Sequence, residues 1–228
     1  MDGGVVVGVV GARGGVGAST LAALVALRAS RRTATVLVDL EAASGGLDVL
    51  VGLEEQAGAR WPDLARARGD VDGRDVVALL PRWGRVALLS CDRARPGAVE
   101  PETAADVVGA LARASGCVVV DLGRAAVLAR HPVLGRCDRV ALVAGRDLRS
   151  VAGAMSLLPA LAEVAAGLVV RGPGPGGLGA DELAEAVGVP MLWSGRPDRA
   201  LVRAAEQGLV PSRGPAGRAA AAVLERLL

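Results

Sequence analysis

Gly11-Ala12-Arg13-Gly14-Gly15-Val16-Gly17-Ala18-Ser19-Thr20 joins an apolar run at 5–10 to an alanine- and leucine-rich run at 21–27. A strand, a glycine-rich turn and a helix in that order make a phosphate cradle. Glycines let backbone N–H groups approach an anion at the positive end of the helix, and a hydroxyl at the loop's end can ligate Mg²⁺. The pattern G-x-x-x-x-G-K-[ST] is altered at two positions, with Ala12 at its first glycine and Ala18 at its lysine. The ammonium group that such a loop offers to phosphate is missing, so the flanking residues must decide what the loop does.

Outward from the loop, short valine-rich runs alternate with alanine- and leucine-rich stretches. Strands are expected at 5–10, 35–39, 86–90, 117–121, 139–143, 168–171 and 191–193. Helices are expected at 19–28, 47–53, 101–114, 148–164, 181–187, 200–207 and 215–227. Near-continuous valine without polar alternation means strands buried on both faces, and the alternation of elements means a parallel sheet covered by helices. The expected fold is α/β, a doubly wound, mostly parallel sheet of about seven strands, in one domain over 1–228. Ligands bind at the carboxyl ends of such strands. Those ends carry the loop after Val10, then Asp39, Asp121, Arg171 and Trp193. Two acids converging on a glycine loop suit a Mg²⁺–phosphate site, although a strand-end Asp taken singly also serves as a helix cap.

Composition narrows the classes. The chain has 228 residues, 52% of them apolar, and lacks Lys, Asn, Ile, Phe and Tyr, the mark of a GC-rich gene. Ala18 can therefore reflect drift as well as selection, but arginine codons were open and position 18 carries no cation. A net charge of +2 gives no general affinity for polyanions. Cys91, Cys117 and Cys137 have no C-x-x-C spacing and read as reduced residues, with neither disulfide nor zinc indicated. No run approaches the roughly 18 apolar residues of a membrane span, and no leader-like segment is expected before Val5.

The stretch Val36-Leu-Val-Asp-Leu-Glu-Ala-Ala-Ser-Gly-Gly-Leu-Asp-Val-Leu-Val-Gly52 resembles, without a gap, the segment after the second strand in the MinD/ParA family of deviant-Walker P-loop ATPases. Gly14-Gly-Val-Gly-Ala-Ser-Thr20 resembles that family's loop, Val118-Val-Val-Asp-Leu-Gly123 its Walker B and switch II, and Arg196-Pro-Asp-Arg-Ala-Leu-Val-Arg-Ala-Ala-Glu-Gln-Gly208 its characteristic ending. Arg60-Trp-Pro-Asp-Leu64 and the lysine-free loop look most like the actinobacterial CpaE/TadZ-like branch, whose relatives lie beside Flp pilus and secretion genes and include a group named for septum-site determination. Many of that branch carry an N-terminal receiver-like domain, which is not expected here.

By that resemblance Gly14, Gly15, Val16, Gly17, Ala18, Ser19 and Thr20 would bind ATP, with Arg171 and Pro197 at its base. Ser19, Asp39 and Asp121 would hold Mg²⁺, and Glu41 would orient the attacking water. Arg13 stands where the family's signature lysine reaches across a homodimer to the partner's phosphates, and its fork keeps that charge. Glu41 is one methylene longer than the usual Asp, and Arg171 replaces an Asn that faces adenine. The missing lysine removes a charged hydrogen bond worth about 1.5 to 3 kcal/mol, so binding weakens by one to two decades. Rate suffers more, because one cation in phosphoryl transfer is worth about 10³ to 10⁵.

The implied function is a nucleotide-dependent dimeric organiser of a pilus or secretion apparatus or a septum site, with hydrolysis slow or absent. It would be cytoplasmic, recruited to the pole or membrane periphery by a partner. The alternatives are an active ParA-type ATPase that partitions DNA and a nucleotide-free scaffold. His131 is expected to be structural or solvated, and Trp61 and Trp83 to pack in the core or at its rim, with anchoring of a partner as the rival reading. Arg196, Arg199, Arg203, Arg213 and Arg218 are expected on a solvated surface, with DNA contact as the rival reading. The stretch 219–228 is expected to close the domain rather than reach a membrane.

Overall fold

A computed structural model describes residues 3–41, 45–67, 71–97, 99–172, 174, 176–196 and 198–227. Seven parallel strands form the body of one sheet: β1 (Val5–Gly11), β2 (Thr35–Asp39), β4 (Val86–Leu89), β5 (Cys117–Leu122), β6 (Arg139–Gly145), β7 (Ala165–Arg171) and β8 (Met191–Gly195). An eighth, β3 (Arg82–Trp83), pairs antiparallel with β4, giving the order β3-β4-β2-β5-β1-β6-β7-β8. The sequence reading omitted β3, since two residues closing a hairpin at Gly84 (φ 58) leave no periodicity to read.

Valines divide between the two faces of the sheet. On β1, Val6 and Val10 join the core that includes Val107, Val108 and Leu111 of α4 (Pro101–Ala114) and Leu157 of α6 (Leu148–Leu161). Val7 and Val9 join the opposite core, with Leu21 and Leu24 of α1 (Ala18–Ala29) and Val223 and Leu224 of α9 (Pro215–Leu227). Because α9 packs over α1, the latter is covered on two sides. That is why α1 reads as apolar nearly all round, with Leu21, Ala22, Ala23, Leu24, Val25, Ala26 and Ala29 buried.

The remaining helices are α2 (Leu47–Leu50), α3 (Gly73–Leu79), α5 (Arg124–Leu128), α7 (Ala180–Val187) and α8 (Arg199–Ala205). The sequence reading gave neither α3 nor α5, each being seven residues or fewer. Trp61 is core at 3% exposure, and His131 caps a short 3₁₀ turn by accepting Val133 N–H at Nδ1. Burial pushes the thiols of Cys91 and Cys137 up to about 12 and that of Cys117 to about 11, which keeps all three protonated. No helix among the described residues is long and apolar enough to cross a membrane.

Candidate nucleotide-binding site

The loop turns from β1 into α1 through two left-handed residues, Gly15 (φ 73) and Gly17 (φ 86), conformations that side chains resist. A Cβ on Gly14 or Gly15 would meet nothing within 4 Å, so the loop's backbone faces open space there. Beside it lies a cavity of about 520 Å³, lined by the loop, by Gly145 to Asp147, by Arg171 and Gly172, and by Leu201, Val202, Ala205 and Glu206. Ala18 begins α1, the position from which a lysine would reach over the loop.

Acids meet the loop from the sheet. Asp39 and Asp121 are register partners on β2 and β5, 0% and 3% exposed. Asp121 faces the Ser19 hydroxyl of the loop, which favours its charged form as a side-chain hydrogen-bond partner. The oxygens of Asp39 accept Glu41 N–H at 2.9 Å and Leu47 N–H at 2.8 Å, and so pin both ends of the segment after β2. Burial raises Asp39 to about 6 and Asp121 to about 7, with the charges of Asp48 and Glu41 adding to the rise of the first and those of Asp39 and Glu41 to the rise of the second. Glu41 lies against Gly123, where a Cβ would come within 2.9 Å of its Oε2. The sequence-predicted Ser19, Asp39, Glu41 and Asp121 therefore converge at one end of the sheet.

Guanidinium groups surround the loop instead of the absent ammonium. Arg124 donates to the Ala12 carbonyl at 2.5 Å, Arg13 to Gly14 at 3.0 Å and Arg171 to Val16 at 2.6 Å. Every second carbonyl from Ala12 to Val16 is thus held by an arginine. Arg13 is also paired within its own protomer, its Nη2 3.1 Å and its Nε 3.3 Å from Asp147 Oδ2. Asp147 caps α6 through Ser150 N–H at 2.9 Å. Arg171 lies so close to Gly17 that any Cβ there would overlap its Nη1. Its pKa is lowered by burial, with Asp198 opposing.

Pro197 lies outside the described residues. Asp147 and Arg124 were not singled out from sequence. Asp147-x-x-Ser150 is a helix-start signature that points to the first. Arg124 could have been noticed only as a charge directly after Asp121-Leu-Gly.

No family model matches the chain. Two curated relatives, uncharacterized proteins of Mycobacterium tuberculosis strains CDC 1551 and H37Rv, are each 41% identical over 207 residues. The match takes in 90% of this chain and 58% of each relative, so the chain spans well under two thirds of the relatives' length. Among solved structures, a ParA family ATPase from Chlorobium tepidum superimposes with a TM-score of 0.81 at 21% identity, covering 98% of this chain and 99% of that one. The fold is the MinD/ParA fold. Two further structures share it: the Aquifex aeolicus MinD of a MinC:MinD complex (TM-score 0.79, 18% identity, 98% and 95% covered) and a Pyrococcus horikoshii septum-site-determining MinD with Mg-ADP (0.79, 16%, 98% and 95%). The loop, Asp39 and Asp121 are placed on this fold at the strand ends where α/β sheets bind ligands.

Whether Mg²⁺–nucleotide suits these residues can be judged from the site itself. An open glycine backbone at a helix start takes phosphate. A hydroxyl facing a buried acid, beside a second buried acid whose pKa burial raises to about 6, gains from a divalent cation. Among the described residues no group of three or more His, Cys, Asp or Glu is set to hold a metal alone. Mg²⁺ in phosphate sites takes one or two carboxylates and completes its shell with phosphate oxygens and water, so the residues fit.

Proposed function

We propose that the chain is a MinD/ParA-type ATP-binding switch whose hydrolysis is slow or lost, working as a homodimer. The supporting observation is the loop itself: its backbone stays open beside a 520 Å³ cavity and its Ser19 faces Asp121, while Ala18 offers no charge. Backbone N–H groups from Gly14 to Thr20 would hold the phosphates. Ser19, with Asp121 and Asp39 behind it, would hold Mg²⁺, which when bound supplies charge neutralisation at the phosphate oxygens. Glu41, against Gly123, is the carboxylate placed to orient water.

The dimer reading gains support from the face that carries Arg13. Leu148, one residue from Asp147, is 82% exposed, and Met155, two turns along α6 on the same side, is 52% exposed. Apolar residues at that spacing on an outer face suit a partner surface. Arg13 must leave Asp147 to reach a second copy, so the pair marks the separated state. The CpaE/TadZ-like role, organising a pilus or secretion apparatus or a septum site, rests on the sequence resemblance. A DNA-partitioning role would draw on the exposed Arg196, Arg203, Arg213 and Arg218.

The test is a titration with ATP and Mg²⁺, read by calorimetry, light scattering and phosphate release. Binding with dimerisation and negligible turnover is the expected result. Brisk turnover would overturn the slow-hydrolysis reading, absence of binding would favour a scaffold, and salt-sensitive DNA binding would favour partitioning.

A further inference from the structure

Arg13 and Arg171 are each accounted for by an acid: Asp147 pairs with the first and Asp198 attracts the second. Arg124 differs. It is half-buried, opens α5 directly after Gly123, and among the described residues forms no salt bridge. Its hydrogen bond goes to the Ala12 carbonyl, a neutral group that any N–H donor would satisfy. A guanidinium has five N–H donors, and the bond to Ala12 leaves others that can serve an anion. The position is prepared by Gly153 of α6, where a Cβ would overlap the Ala12 oxygen and come within 3.3 Å of Arg124 Nη1.

We propose that Arg124 supplies, within the same protomer, the phosphate-binding charge that Ala18 leaves out of the loop. The cation has moved from the first turn of α1 to the first turn of α5, so that it approaches the cradle from the Gly123 side. Glu41 lies against that same Gly123, one residue before Arg124. Ala12 holds the guanidinium in place, and the remaining donors serve the terminal phosphates of the bound nucleotide. This inference rests on the nucleotide-binding reading above.

The test uses the full chain, with a non-hydrolysable ATP analogue and adenosine as probes, titrated by calorimetry. Arg124→Ala and Arg124→Gln are both expected to weaken the triphosphate about 10- to 100-fold, as loss of a charged hydrogen bond should, and to leave adenosine unchanged. The Gln variant can still donate to the Ala12 carbonyl, so it separates charge from local support of the loop. Adding Ala18→Lys to Arg124→Gln should restore most of the loss, and should gain less in the unmodified background. Triphosphate binding by Arg124→Gln equal to the unmodified chain overturns the inference. So does an equal loss of both probes, or an equal gain from Ala18→Lys in both backgrounds. If the unmodified chain binds neither probe, the nucleotide reading falls first and takes this inference with it.

Discussion

The acidic and the cationic halves of the site are built in different ways. Asp39 and Asp121 sit in the middle of the sheet, on neighbouring strands, where the pleat and the register fix their positions. The arginines reach the loop from three separate elements, the loop itself, α5 and β7, and each is anchored to a carbonyl. A buried strand carboxylate cannot move without moving the strand. A long guanidinium arm can reach the same loop from several elements, so the cationic half is the half free to be rearranged.

The largest expected effect comes from putting the ammonium back. Ala18→Lys should raise phosphate release from ATP by about 10²- to 10³-fold, a share of the rate that one cation contributes to phosphoryl transfer. An unchanged rate in a continuous phosphate assay would mean that the relocated arginines already do all that a lysine does.

Asp121→Asn breaks the acidic half. Its native pKa of about 7 lies above its unfolded value, so the folded state binds more protons and stability falls as pH rises from about 4 to about 7, then levels. The Asn variant should therefore be more stable than the parent by on the order of 2 kcal/mol at pH 8 and by little at pH 4. Urea unfolding at the two pH values checks this, and a Mg²⁺ titration should show weaker Mg²⁺-dependent nucleotide binding. A gain of equal size at both pH values would place the strain elsewhere.

Leu148→Glu probes the outer face of α6 beside the Arg13–Asp147 pair. The side chain touches solvent, so monomer stability should change by no more than about 0.5 kcal/mol. The nucleotide-dependent dimer should be lost in light scattering. Smallest of all is Asp147→Asn, which keeps the cap on α6 but releases Arg13. An ion pair this exposed is worth about 0 to 1 kcal/mol, and thermal unfolding should show no more than that. Dimer affinity should rise a few-fold if the Asp147 pair restrains Arg13.

Sequence made the sheet legible because valine runs buried on both faces can be read without any tertiary knowledge. It also read Asp39 and Asp121 as lying at the carboxyl ends of their strands, where the structure has them, but the pairing of those two strands was not read. The short elements escaped. β3 and α5 are too brief to show a period, and with α5 went Arg124, whose meaning depends on a carbonyl 112 residues away. The engagement of Arg13 by Asp147, 134 residues apart, is likewise a product of folding alone. Alanine at position 18 could be read immediately, but the arginines that stand around it could not.

Trp61 donates its indole N–H to the carbonyl of Asp39 at 2.6 Å, beneath the segment that would clasp a nucleotide, and Trp193 borders the pocket between Arg171 and Thr20. The chain has no tyrosine and a third tryptophan, Trp83, on the distant edge strand. Ultraviolet emission from this molecule therefore arises from three indoles alone, two of them on opposite flanks of the site. A change in that emission on adding nucleotide would report occupancy without a dye or an added label.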